Sequence, residues 1–61
     1  MTGAEIKALR SKHGITQFEL ARRLDRSISF MSEYENYIGE VPRHVELLIL
    51  DAIPEERKNG A

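Results

Sequence analysis

Apolar residues recur along this chain at three- and four-residue steps, and those steps divide it into four helices. The first stripe is Ile6, Leu9, Arg10 and His13, preceded by Thr2 and Glu5 at the spacing of a capping box. Gly14, which adopts the left-handed backbone without steric cost, is placed to end that helix. Thr16 and Glu19 repeat the capping-box spacing and open a second helix of about two turns. Its inner face is Leu20, Ala21 and Leu24. Asp25-Arg26-Ser27 reads as a tight turn, with Ser27 the N-cap of a third helix. Over residues 28–36 the stripe Met31, Tyr34, Glu35 and Ile38 points one way, and Ile28, Ser29, Ser32 and Glu33 point the other. A loop through Gly39 and Val41 leads to Pro42, whose fixed φ suits the first turn of a helix. The fourth helix then buries Val45, Leu48, Ile49, Ala52 and Ile53, and Pro54 ends it. The expected fold is a compact all-α domain of four helices, with room for a short fifth, over residues 1–54. Residues 55–61 form a polar tail.

At 61 residues the chain holds one domain with a modest core. An enzyme-sized pocket would consume most of that core. His13 and His44 stand apart, and no metal-ligand, phosphate-loop or nucleophile–base spacing is present, so neither catalysis, a cofactor, a metal nor a small-molecule ligand is expected. There is no Cys to form a disulfide. The longest apolar run, Leu47-Leu48-Ile49-Leu50, is far too short for a bilayer, and the first residues lack the order of a secretory signal. A cytoplasmic location and no membrane partner are the expectation.

The net charge of −1 would suit a DNA binder poorly if it were spread evenly. It is not. Residues 1–30 carry six Lys/Arg against three Asp/Glu, a net of +3. Residues 31–61 carry three against seven, a net of −4. At the end of the basic half stand two short helices joined by a three-residue turn, the form of a helix-turn-helix over about 17–36. In that unit one helix braces on the backbone while the second offers a polar face to base edges. A helical hairpin with a solvated face has the same periodicity, so the pattern alone leaves both open.

The run Gly14-Ile15-Thr16-Gln17, then Glu19-Leu20-Ala21, Leu24, Ser27 and Tyr34-Glu35-Asn36, resembles the Cro/lambda-repressor-type helix-turn-helix regulators. The likeness extends from about Ile6 to about Ile53. It implies a four- or five-helix bundle whose third helix enters the major groove, in most cases as a dimer. It implies that Gln17 and Asn36 contact phosphate, Asn36 being equally suited to capping the third helix. It also implies an ion pair between Arg10 and Glu35. Both lie on inward stripes, where an unpaired charge is costly, so that pair is expected to be structural.

Ser27, Ile28, Ser29, Ser32 and Glu33 form the expected base-reading set. Arg22, Arg23, Arg26 and Arg43, with Lys12 less central, are the basic candidates for phosphate. Asp25 and Arg26 stand where the family has Gly and an apolar residue. Asp tolerates the left-handed region, and the Arg26 stem can cover the core edge. Tyr37 replaces a frequent Gly, which leaves the third helix free to run a turn longer before Gly39. Phe18 is expected to pack at an edge, and Phe30 to divide between packing and base contact.

Leu47 and Leu50 point away from the inner face of the fourth helix and suggest a homodimer interface. Together these features predict a compact repressor of phage, mobile-element or restriction-controller type on a palindromic double-stranded operator. The competing expectation is a protein-interaction module on the same fold, such as an antitoxin or anti-activator. The acidic second half and the Ile28/Glu33 face favour that alternative.

Overall fold

The computed structural model describes residues 1–53 of the chain. Four helices form: α1 Gly3–Lys12, α2 Gln17–Leu24, α3 Ile28–Glu35 and α4 Arg43–Ala52. This is the all-α, four-helix architecture that the apolar spacing predicts. Among the described residues there is no strand beyond one isolated antiparallel bridge, Thr2 with Glu40. The expected stop at Pro54, a fifth helix and the 55–61 tail lie outside the described residues. No described helix is long and apolar enough to cross a membrane.

The helix boundaries follow from local chemistry. Thr2 accepts from the Glu5 amide at 3.2 Å, and the Glu5 carboxylate accepts from the Thr2 amide at 2.7 Å, completing the capping box. At α2 only half of that box forms. Thr16 accepts from the Glu19 amide at 3.1 Å, but the Glu19 carboxylate turns to Arg23 at 2.8 Å, one helical turn on. Ser27 caps α3 by accepting from the Phe30 amide at 3.3 Å.

α1 and α2 end alike. After α1, the Ile15 amide reaches the Arg10 carbonyl and the Gly14 amide reaches that of Ser11, both at 3.0 Å, with Gly14 at φ 65°. After α2, Arg26 reaches Ala21 at 2.9 Å and Asp25 reaches Arg22 at 3.0 Å, with Asp25 at φ 58°. These are paired bonds of the Schellman type, and Asp25 takes the left-handed position that glycine holds after α1.

Two expectations for the third helix are corrected. It does not run on toward Gly39: it stops at Glu35, and the Asn36 side chain caps it by donating to the Ser32 carbonyl at 2.8 Å. Ile38 therefore leaves the inward stripe and is 96% exposed. At α4, Pro42 sits one place before the first helical residue, and its carbonyl accepts from the Val45 and Glu46 amides.

Ile6, Leu20, Met31, Val45, Ile49 and Ile53 are fully buried, with Ile15, Ala21, Leu24 and Val41 around them. α3 packs on both α1 and α2, and α4 packs on α2. Leu9, Tyr34, Leu48 and Ala52 fill the margins. Gly3 is buried because α1 begins against the end of α3. A Cβ there would lie 2.5 Å from the Tyr34 carbonyl oxygen and 2.6 Å from that of Glu35. The first residues are held further by the Val41 amide, which donates to the Met1 carbonyl at 2.9 Å. The Met1 ammonium pairs with Glu40 and, at 2.8 Å, with Glu46.

Gly3→Ala should cost about 1–3 kcal/mol in urea unfolding, because the obstacle is backbone and cannot rotate away. Hydrogen bonds donated to Glu40 and then to Glu46 raise the pKa of the Met1 α-amino group from 8.0 to about 10. A raised pKa means stabilisation that is complete below about pH 8 and lost as pH climbs through about 10. Thermal melts across that window should show the loss, and Nα-acetylation should abolish it.

Candidate nucleic-acid interface

The helix-turn-helix surface is built on a carboxylate. Glu35 closes α3 with its side chain only 4% exposed, and two other helices converge on it. Arg10 of α1 donates from Nε to Oε2 at 2.7 Å and from Nη2 to Oε1 at 3.2 Å. The first residue of α2, Gln17, donates from Nε2 to Oε1 at 3.2 Å. Arg10 also donates from Nη1 to the Ile15 carbonyl at 3.0 Å, clamping the loop between α1 and α2. Bonding to Glu35 holds the Arg10 guanidinium above its ordinary pKa, against the opposing effect of burial. The ion pair implied by the family likeness is thus present as a two-point fork.

Gln17 has a second duty that its spacing did not reveal. Its amide nitrogen is tied to Glu35, which fixes the side chain at the start of α2. Asn36 likewise spends its amide on capping α3. With both ends of the unit held, α3 presents one outward arc. Ser27, Ile28, Ser29, Ser32 and Glu33 are all exposed, while Met31 is buried and Tyr34 and Glu35 are partly buried on the opposite side. All five residues of the expected reading set share this surface.

The basic candidates separate into two groups. Arg23 is engaged internally, donating to Glu19 at 2.8 Å and to the Ala52 carbonyl at the end of α4 at 3.2 Å. Arg43 lies 3.7 Å from Glu46 on α4, apart from the turn. Arg22 and Arg26 instead lie over aromatic rings, at 5.9 Å from the Phe18 centroid and 5.7 Å from that of Phe30. Neither takes part in an ion pair among the described residues. Both are exposed and flank the turn between α2 and α3, where Arg26 also donates from Nη1 to the Asp25 carbonyl at 3.2 Å.

Phe18 is 56% exposed, so it is no edge-packing residue; its ring carries the Arg22 guanidinium. Phe30 does pack. It meets Tyr34 at 4.8 Å between centroids, and Tyr34 stacks on Tyr37 at 5.5 Å. This aromatic ladder braces the flank of α3. The helical steps 30 and 34 hint at it in the sequence, and the turn in which the Tyr37 amide donates to the Tyr34 carbonyl at 3.3 Å brings Tyr37 alongside. His13 forms the cap residue of α1, and His44 is exposed at the start of α4.

Leu47 and Leu50, paired in the sequence reading, are separated. Leu50 is half-buried in a hollow with Met1, Ala8 and Leu9 of the α1 side. Leu47 is 51% exposed and borders a different hollow with His44, Leu48 and Asp51.

Arg10→Met alone should cost about 3 kcal/mol, since it leaves a buried carboxylate with only Gln17. Arg10→Met combined with Glu35→Leu should recover most of that loss, measured as a double-mutant cycle in urea. Equal additive losses would remove the ion pair from its structural role.

Neither protein-family models nor curated proteins nor solved structures yield a match to this chain.

Proposed function

We propose that the chain is a sequence-specific, double-stranded DNA-binding transcriptional regulator that inserts α3 into the major groove as a homodimer. The observation that carries this is the turn. α2 and α3 are short, joined through a left-handed Asp25 and a Ser27 cap, and α3 turns a small polar arc to solvent beside two exposed arginines. That combination suits a helix that must approach base edges while its neighbour rests on phosphate.

Residue roles follow from chemistry. Ser27, Ser29 and Ser32 can donate to or accept from base edges, and Ile28 can meet a thymine methyl. Glu33 accepts from cytosine N4 and repels phosphate, so it selects against misplaced registers. Arg22 and Arg26 supply phosphate contacts, each resting on an aromatic ring. The amides at the start of α2 add dipole-assisted contacts, next to a Gln17 already held by Glu35. The regulator proposed is a repressor of phage, mobile-element or restriction-controller type, and a two-fold pair fits a palindrome with half-sites about one helical turn apart.

Fluorescence anisotropy with the gene's own upstream duplex tests this. With Arg22 and Arg26 supplying the phosphate contacts of each copy, the salt slope should be modest, about −4 for a dimer. Arg22→Ala should weaken all sequences alike and flatten the slope by about 2 for two copies. Ile28→Ala should alter sequence preference with the slope unchanged. Absence of sequence-specific binding at low salt by a folded sample would instead favour a protein-interaction module.

A further inference from the structure

The exposed face of α4 is built to meet itself. Its outward stripe is His44, Leu47, Leu48 and Asp51, at helical steps of three, one and three residues, and these four residues border one hollow. Leu47 stands half out of the surface at the middle of that stripe. A prominent leucine next to a hollow on the same face is self-complementary, because a two-fold axis lets each copy's leucine enter the other's hollow.

The charges choose the direction. Arg43 and His44 occupy the first turn of α4 and Asp51 the last, the reverse of what the helix dipole favours within one helix. In an antiparallel pair the same placement becomes favourable. Each Asp51 then lies near the positive end of the other helix, and each His44 near its negative end. Asp51 also interacts within its own chain. A carboxylate with two oxygens retains room for another donor.

From these observations we infer that α4 is the homodimer surface, packed antiparallel about a two-fold axis. Leu47 of one copy lies against Leu48 of the other, and His44 lies against Asp51 of the other. This deepens the dimer invoked above, but its test needs no DNA and so fails or succeeds separately from DNA binding. Leu50, on the α1 side, stays outside the contact. One face of a ten-residue helix is small beside the area of a tight interface, so the dimer is weak and reversible.

Sedimentation velocity of the full chain between about 10 and 500 μM should show a concentration-dependent shift from monomer to dimer. Leu47→Lys should abolish the shift with the helical circular dichroism retained, since the side chain is already exposed. Asp51→Lys and His44→Glu should each weaken association about tenfold or more by setting like charges together, while a mixture of the two variants should restore it as a heterodimer. His44→Glu suits its own helix dipole, so thermal melting of that dilute variant should hold or rise as association falls. A wild-type chain that remains monomeric throughout, a dimer indifferent to Leu47→Lys, or a mixture that stays monomeric would overturn the assignment.

Discussion

One buried carboxylate organises the molecule. Glu35 ends α3, yet it is gripped by Arg10 from α1 and by Gln17 from α2, while Arg10 also holds the carbonyl of Ile15. A helix terminus is ordinarily the loosest part of a helix. Here it is the meeting point of three. An apolar core fills volume without fixing rotation about a helix axis very sharply. A two-point fork between Arg10 and Glu35 does, because both bonds fail if α3 turns or slides. The angle at which α3 shows Ile28, Ser29, Ser32 and Glu33 to solvent is therefore set largely by a contact on its opposite side.

The same economy appears around the turn. Gly3 brings the start of α1 against the last carbonyls of α3, and the Phe30–Tyr34–Tyr37 ladder braces its flank. Asn36 closes the helix with its own side chain. Of the outward face, only Ser27 is committed to the fold, as the cap of α3. That separation leaves the exposed positions free to be set by a partner's chemistry, at little cost to the fold.

Much of this was legible in the sequence, for identifiable reasons. Caps at Thr2, Thr16 and Ser27 are local, as are the left-handed stops at Gly14 and Asp25, and the structure has them where spacing puts them. Charges on inward stripes pointed to Arg10 and Glu35. What spacing could not supply was competition. Glu19 had two acceptable uses, and Arg23 won it over the capping box. Ile38 continued a periodic stripe, but Asn36 ended the helix first. Arg23 resembled a phosphate contact until the Ala52 carbonyl came within 3.2 Å. Leu47 and Leu50 sat three residues apart on one helix, yet α1 reached only the second. For Arg23 and Leu50 the deciding atom is distant in sequence; for Glu19 and the end of α3 it lies one helical turn away, among local alternatives that spacing does not rank.

On the function proposed here, α3 and the start of α2 face DNA and α4 faces a second copy. The most direct test is an amide NMR titration of the 15N-labelled chain with a short operator-containing duplex at low salt. The expected perturbations concentrate on residues 16–18 and 26–33, with the α1 residues Ala4–Ala8 silent. Shifts confined to α1 and α4, with residues 26–33 unmoved, would contradict the assignment of α3 as the reading helix.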